Sequence, residues 1–471
     1  MPKISKTPEN RDLSCFFEPR SIAVIGSFRE SFFGGYVIVK SLLKAGYKGK
    51  IFPVNPAYQD VHGLKVYPSV RDIPQKVDLA MVMINARSVA GMVGECAEKK
   101  IRAMIVVSDG FAERDEEGAR LQKELLEVAG KEDIRIIGPN TAGVLNTANG
   151  FNPCAYEAGY YRIRKGPIAI GSQTGMTNPQ AFPYPDLRFG VSKICDFGNK
   201  CDVDECDFLE YLAEDPDTGV VSMYLESIKN GRRLLEIAGR VTKAKPVLVF
   251  KAGRTEEGAK ASASHTGSMA VDDQLFDSLC RQSGLLRLEE FKDLFEIPKM
   301  FASQPLPRGG RLGIITFTGG VGVVTIDKGA KYGMGLTRLS GETRRALDAI
   351  YRGLGTMPVD IGPMMAAVKN PFELYPGVIE AVVEDSNVDV LFNVLWANPT
   401  GIIVSSYLKA YERIKDRVRK PIATWIYGPD PEVSADLTKR VEEMGFPVFP
   451  TPEKCIQALG LALQYSRIKA G

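Results

Sequence analysis

His265, in the segment Ser264-His265-Thr266-Gly267-Ser268, is one of only two histidines among 471 residues. So few imidazoles cannot build a histidine-rich metal site, and any histidine chemistry has to run through one of them. A neutral imidazole is a good nucleophile that can hold a phosphoryl group transiently. Glu226, at the end of the apolar run Val220 to Leu225, is its candidate partner. A carboxylate there can accept the imidazole N–H, fix its tautomer and stabilise the charge that develops on phosphorylation. Read singly, a hydrogen-bonding loop histidine and a solvated glutamate paired with Lys229 or Arg232 fit the same residues.

Two Gly-rich segments have the character of phosphate sites. Ser172, Gln173, Thr174 and Gly175 follow one short apolar run, and Thr318-Gly319-Gly320-Val321-Gly322 follows another. Glycine lets backbone approach an oxyanion, hydroxyls add donors, and a helix start favours negative charge. Two such starts facing one another hold a phosphate without a metal, although each alone is also an ordinary strand-to-helix turn. A third loop, Gly26-Ser27-Phe28-Arg29 through Gly34-Gly35, has the same strand-to-helix setting. It is neither a Rossmann G-x-G-x-x-G nor a Walker loop, since no Gly-Lys-Ser/Thr follows. Asn55, before Pro56, stands where a dinucleotide-binding domain has a ribose-binding Asp or Glu. That argues against a nicotinamide dehydrogenase.

The elements that position these residues repeat in three blocks. The first opens with Ser21 to Gly26 and continues in strands over Lys50 to Val54, Val77 to Ile84, Ala103 to Val107 and Ile134 to Ile137. Helical periodicity lies between, as in Val37 to Ala45 and Gly118 to Ala129. The second opens with Pro167 to Gly171 and continues through Val220 to Leu225 and Val247 to Phe250. A loop from Arg254 to Ser264 is expected to carry His265 away from that last strand. The third opens with Leu312 to Phe317 and continues through Val388 to Val394, Ile422 to Tyr427 and Val448-Phe449. Strands alternating with helices imply doubly wound parallel sheets, which present ligands at strand carboxyl ends.

Net charge is +3, from 60 basic and 57 acidic residues, too balanced to argue for nucleic acid or an anionic membrane surface. No apolar run approaches the roughly 20 residues of a membrane span, and Met1 to Ser14 is polar, without a signal-peptide core. Of the eight cysteines only Cys195, Cys201 and Cys206 cluster, without paired C-x-x-C spacing. They read as reduced thiols of a cytoplasmic protein, with no metal site. His62, in the turn-like Val61-His62-Gly63, reads as structural.

Together these segments resemble the α subunit of the NDP-forming acyl-CoA synthetases, the ADP-forming acetyl-CoA synthetase type, within the succinyl-CoA synthetase superfamily. The resemblance covers nearly the whole chain. It rests on Phe17 to Gly26, Gly49 to Pro56, Gly63 to Val70, Ile137-Gly138-Pro139-Asn140, Gly198 to Asp204, and most specifically Lys251-Ala252-Gly253-Arg254 through Ala263 to Ser268. It implies an α/β chain with a Rossmann-like CoA-binding domain (1–150) followed by two flavodoxin-like succinyl-CoA-synthetase-type domains. These are a phosphohistidine domain (151–303) and a second ligase domain (304–471).

The resemblance makes His265 the phosphorylated residue, supported by Glu226. Phosphate falls to Ser172, Gln173, Thr174, Gly175, Gly319, Gly320 and Gly322, and CoA to Gly26, Ser27, Arg29, Asn55, Pro56 and Asn140. The implied reaction interconverts acyl-CoA, ADP and phosphate with a small carboxylic acid, CoA and ATP, through an acyl phosphate and a phosphohistidine. ADP/ATP and Mg would sit on a separate ATP-grasp β subunit, in a hetero-oligomer, since no segment here resembles that module. Departures are Thr174 for a usual serine, Phe32-Phe33 near the place of a first-loop lysine, and Pro363 after Gly362. The rival reading is a non-catalytic CoA- or acyl-CoA-binding regulatory protein on the same scaffold.

Overall fold

The apolar run Ser21–Gly26 is buried at every position and forms β1. It pairs on both sides in a five-stranded parallel sheet of order β2-β1-β5-β6-β7, with β2 at Lys50–Val54, β5 at Leu79–Met83, β6 at Ala103–Val106 and β7 at Arg135–Ile137. A small hairpin, β3 (Asp60–Val61) and β4 (Leu64–Lys65), follows β2. Such runs are apolar throughout because helices cover both faces of a parallel sheet. The helices are set by local chemistry. Asn85 caps Ala86–Glu98 by accepting Arg87 N–H at 3.1 Å. Asp115 caps Glu116–Lys131 by accepting Gly118 N–H at 2.8 Å, with Glu116 and Glu117 in the first turn and Lys131 in the last. The computed structural model describes residues 12–156, 163–177, 187–266, 272–399 and 401–470, with backbone alone for 263–266.

The second sheet has the order β13-β12-β11-β9-β10-β8. Its strands are β8 (Val144–Asn146), β9 (Lys165–Ser172), β10 (Val191–Asp196), β11 (Val220–Leu225), β12 (Val247–Lys251) and β13 (Leu286–Arg287). Only the edge strand β8 runs antiparallel. The chain thus enters this sheet at β8, before residue 150. Sequence pattern alone places no strand at β8 or β10. In β10 the apolar signal is interrupted by Ser192, Lys193 and Asp196, all buried. Lys193 is tolerated there because its ammonium meets Asp215 at 2.7 Å.

Both sheets belong to one compact unit that ends at Leu294. Arg135, on β7, reaches the second sheet's loops, donating to Asp202 at 2.8 Å and Asp207 at 3.0 Å. Burial works against its charge, and the two carboxylates outweigh it, so the pKa is raised. Arg233 meets Asp207 from the other side at 2.6 Å. This network fixes the Gly198-to-Asp204 loop, on which part of the candidate site is built.

A second unit begins at Phe295. Its parallel sheet has the order β15-β14-β17-β18-β19, with β16 pairing β14. The strands are β14 (Arg311–Thr316), β15 (Gly335–Leu336), β16 (Val359–Asp360), β17 (Val390–Trp396), β18 (Ile422–Tyr427) and β19 (Val448–Phe449). Its core holds one polar knot, in which the buried Asn393 bonds Tyr375 and donates to Tyr411 at 2.8 Å.

Candidate active site

Lys251 ends β12 and is buried, with its ammonium donating to the carbonyls of Ala252 and Gly253 at 3.3 and 2.9 Å. Burial pushes its pKa down. Gly253, at φ +67°, turns the chain away from the strand. The next element is a helix, Glu256–Thr266, in place of the loop expected from the sequence. The signals for it are present. Thr255 Oγ1 accepts Gly258 N–H at 3.1 Å, Glu256 and Glu257 occupy the first turn, and Lys260 pairs with Glu256 at i,i+4. Alanines 259, 261 and 263 add helix propensity. His265 is the penultimate residue of this helix, and its side chain lies outside the described residues.

The helix is tied to Glu226. Ser262, one short turn before His265, donates its hydroxyl to the Glu226 carbonyl at 3.2 Å. Glu226 is only 4% exposed, which rules out a solvated rim residue. Lys229 is engaged elsewhere, with the carbonyls of Lys200 and Cys201. Tyr224 donates its phenol to Glu226 Oε1 at 3.0 Å. Burial, and then the adjacent carboxylate, push the Tyr224 pKa up, so it stays a protonated donor.

Ser172 ends β9, the strand next to β11, and its hydroxyl closes the loop onto itself. It donates to the Thr174 carbonyl at 3.1 Å and accepts the Thr174 N–H at 3.0 Å. Gly175 opens a single 3-10 turn, Gly175–Thr177, and a Cβ added to it would meet nothing. Gln173, expected to contact phosphate, lines the cavity beside this loop and also makes contacts within the chain. Its buried side-chain carbonyl accepts the N–H groups of Glu226 and Ser227 at 2.9 and 3.1 Å, and the Lys200 ammonium at 3.1 Å. It therefore sets the position of Glu226. Lys200 is itself fully buried, completed by the Ser227 carbonyl at 2.6 Å and by Glu205 at 2.7 Å.

A cavity of about 550 Å³ opens beside this loop, reaching from the carboxyl ends of β5 and β6 to Gln173 and Gly175. Asn140 lines it, held by its N–H on the Ser108 carbonyl at 2.9 Å. Gly198, at φ +53°, lets the neighbouring loop press on this turn, since a Cβ there would meet the Pro139 carbonyl oxygen at 2.2 Å. Phe33 packs on Tyr156 with ring centroids 4.6 Å apart and forms one wall, while Phe32 is exposed. Asp196 lines the cavity too, and the sequence pattern misses it along with β10. It is paired with Ser172 in the sheet register. Its carboxylate accepts Ala142 N–H at 2.7 Å and Gly198 N–H at 3.1 Å. Burial raises its pKa to about 6 against those donors, and Glu226 adds to the rise.

The remaining candidates form two further groups. Gly26 and Asn55 are joined, with Asn55 Nδ2 donating to the Gly26 carbonyl at 2.9 Å, and Ser27 Oγ lies 3.2 Å from the Tyr58 hydroxyl. Arg29 and Pro56 are exposed nearby in the chain. A Cβ on Gly26 would meet the Met83 carbonyl oxygen at 2.9 Å, and the following helix, Gly35–Lys44, has no side-chain cap. Uncapped amides at a helix start are able to receive a phosphate. In the second unit, Thr316 repeats the Ser172 clasp, donating to the Thr318 carbonyl at 2.9 Å and accepting its N–H at 3.1 Å. Gly319 and Gly320 begin the uncapped helix Gly319–Ala330 and are exposed, whereas Gly322 packs against Pro358.

Three other features are plain. His62, at φ +51°, packs on Tyr36 with ring centroids 4.2 Å apart and planes tilted by 42°, as expected of a structural residue. Among the described residues no group of three or more His, Cys, Asp or Glu could hold a metal. No described helix is long and apolar enough to cross a membrane.

The chain matches the family described as "CoA binding domain" over residues 20–147, and the "Succinyl-CoA ligase like flavodoxin domain" over 165–301. Fold and site therefore define a succinyl-CoA-ligase-type α/β protein, as the resemblance implied. It is 39% identical over 467 residues to acetate–CoA ligase [ADP-forming] II of Archaeoglobus fulgidus, spanning 98% of this chain and 67% of that relative. It is 35% identical to the α subunit of acetate–CoA ligase [ADP-forming] II of Pyrococcus furiosus, over 98% of this chain and 99% of that one. A solved structure, Ca. Korarchaeum cryptofilum dinucleotide forming acetyl-coenzyme A synthetase 1 in complex with phosphate and ADP, superposes with a TM-score of 0.88 at 31% identity, covering 98% of both chains. The chain belongs to the ADP-forming acyl-CoA ligases, an enzyme family, and corresponds to their α subunit.

Proposed function

We propose that this chain carries out the acyl-transfer and histidine-phosphorylation half of an ADP-forming acid–CoA ligation. The observation that carries the reading is the Ser262–Glu226 bond, which holds the helix of His265 against a buried glutamate beside the Ser172–Gly175 loop. Phosphate held at Ser172, Thr174 and Gly175 attacks the thioester carbonyl, and CoA leaves as its thiol. The imidazole of His265 then attacks phosphorus, and the carboxylic acid departs. Glu226 supports the imidazole N–H and the charge formed. Gly319, Gly320 and Gly322 offer a phosphate-binding helix start within the second unit.

CoA is held at Gly26, Ser27, Arg29, Asn55, Pro56 and Asn140, supplying the thiol that carries the acyl group. We assign the chain a CoA-binding domain (1–150), a phosphohistidine domain (151–303) and a second ligase domain (304–471), with the strand β8 of the first segment joining the second sheet. ADP, ATP and Mg belong to an ATP-grasp β subunit in a hetero-oligomer, in keeping with relatives named as α subunits. The free cysteines fit a cytoplasmic setting. The regulatory alternative draws no support from relatives that carry ligase names.

The test is incubation of the purified chain with acetyl phosphate, followed by assay for acid-labile, alkali-stable phosphate. Label is expected on wild type and on no His265→Ala protein, with Glu226→Gln reduced on the order of a hundredfold. Equal label on His265→Ala would sink the reading.

A further inference from the structure

We propose that Asp196 sets acyl specificity, so that the cavity takes uncharged acyl chains bearing a hydrogen-bond donor and rejects dicarboxylic ones. This rests on the reading above, in which the cavity beside the Ser172 loop receives the acyl group.

Position comes first. Asp196 is paired with Ser172 across β9 and β10, and Phe197 N–H bonds the Ser172 carbonyl at 2.7 Å. An acyl group delivered to the phosphate loop therefore has this carboxylate as its neighbour. The cavity, about 550 Å³, is large enough for the end of a pantetheine arm and a short acyl chain.

Charge comes second. The described lining carries two carboxylates, Asp109 and Asp196, and no lysine, arginine or histidine. The other polar members, among them Asn85, Ser108, Asn140 and Asn199, are neutral. A second carboxylate on the acyl chain would lose its water here and face like charge without a cationic partner. Sites that select dicarboxylates supply an arginine fork or a lysine for that purpose.

Donor–acceptor balance comes third. An ionised carboxylate offers about four acceptor positions, and Asp196 uses three of them, on the Ala142 and Gly198 amides and the Thr141 hydroxyl. The remaining capacity suits a substrate hydroxyl or amide. With a pKa near 6 the group is largely an ionised acceptor at neutral pH. A site built to bond a hydroxyl also discriminates against the analogue lacking it, because its polar group is then left unpaired.

Three esters of equal chain length separate these effects, namely 4-hydroxybutyryl-CoA, butyryl-CoA and succinyl-CoA. Calorimetric titration of the purified chain is expected to rank them in that order, with 4-hydroxybutyryl-CoA on the order of tenfold tighter than succinyl-CoA. Asp196→Asn should narrow that ratio. Asp109→Lys places a cation at an exposed position of the same lining and should narrow it without touching the core, which decides the matter if Asp196→Asn fails to fold. Equal affinities in wild type, or one ratio shared by wild type and the folded variants, would overturn the proposal. The same samples are then assayed for phosphohistidine after adding phosphate. The expected ranking without label removes the ligase reading and leaves the selectivity standing, whereas no binding of any ester removes both.

Discussion

Gln173 and Glu226 are locked together across the ends of β9 and β11. The Gln173 side-chain carbonyl accepts the Glu226 N–H at 2.9 Å, and its amide donates to the Ser227 hydroxyl at 3.1 Å. The same carbonyl holds the buried Lys200 ammonium at 3.1 Å. One side chain thereby joins the Ser172–Gly175 loop to Glu226, whose backbone carbonyl accepts the Ser262 hydroxyl of the histidine helix. Catalytic groups gain from being held rigidly where the reaction needs them, and a misplacement of about 1 Å can cost a hundredfold in rate.

Gln173→Ala therefore leaves two buried N–H groups and an ammonium short of an acceptor. It is expected to lower stability by about 3 kcal/mol and histidine labelling by on the order of tenfold. Gln173→Glu keeps the acceptor and pairs with Lys200, so it should retain most of both. Urea unfolding and acetyl-phosphate labelling of the two variants check this. Labelling at the wild-type rate in Gln173→Ala would show that Glu226 is positioned by something else.

How far the sequence reveals this arrangement depends on where each residue's partners lie. β1, β11 and β12 are legible because burial on both faces demands an unbroken apolar run. So is the place of Glu226, one residue beyond such a run. β10 is hidden because Lys193 and Asp196 are made acceptable only by distant partners, Asp215 and the Ala142 and Gly198 amides. The helix of His265 is obscured by Gly258 and its serines, although Thr255-Glu256-Glu257 announces its start. Gln173 reads as a phosphate ligand in sequence, and only its tertiary contacts reveal the clamp. The α/β class is legible because it rests on local periodicity, and the order of CoA-binding and flavodoxin-like domains follows from the family resemblance that the contiguous motifs carry.

Lys200 and Glu205 make a second prediction. Both are at most 1% exposed and lie 2.7 Å apart. Removing one leaves an uncompensated buried charge, which costs about 3–5 kcal/mol, whereas replacing both with apolar groups costs far less. Lys200→Met alone should be strongly destabilised, and Lys200→Met/Glu205→Leu should recover much of the loss. A double-mutant cycle by denaturant unfolding measures the coupling. Strictly additive losses would show that the pair is not an energetic unit.

Asp196 gives stability a definite pH dependence. Its pKa is about 6 in the folded chain against an ordinary 3.8, so the folded state holds this proton more tightly than the unfolded chain. Between about pH 4 and pH 6 unfolding releases the proton, and the contribution to stability falls as pH rises through that window. It is most favourable below pH 4 and fully lost above pH 6. A pKa rise of this size corresponds to about 2–3 kcal/mol. The groups around it are the Ala142 and Gly198 amides and the Thr141 hydroxyl, which favour the charged form, and Glu226 from the end of β11, which opposes it. Tyr156 feels the same carboxylate, its own pKa being raised first by burial and then by Asp196. Because other carboxyls titrate in this range, the informative quantity is the stability of wild type minus that of Asp196→Asn, from urea unfolding at several pH values between 4 and 7. That difference should fall by about 2–3 kcal/mol across the series. The slope should persist in a Glu226→Gln background with a smaller amplitude, since one source of the rise is then removed. Parallel curves for wild type and Asp196→Asn would mean that the carboxyl is ionised throughout.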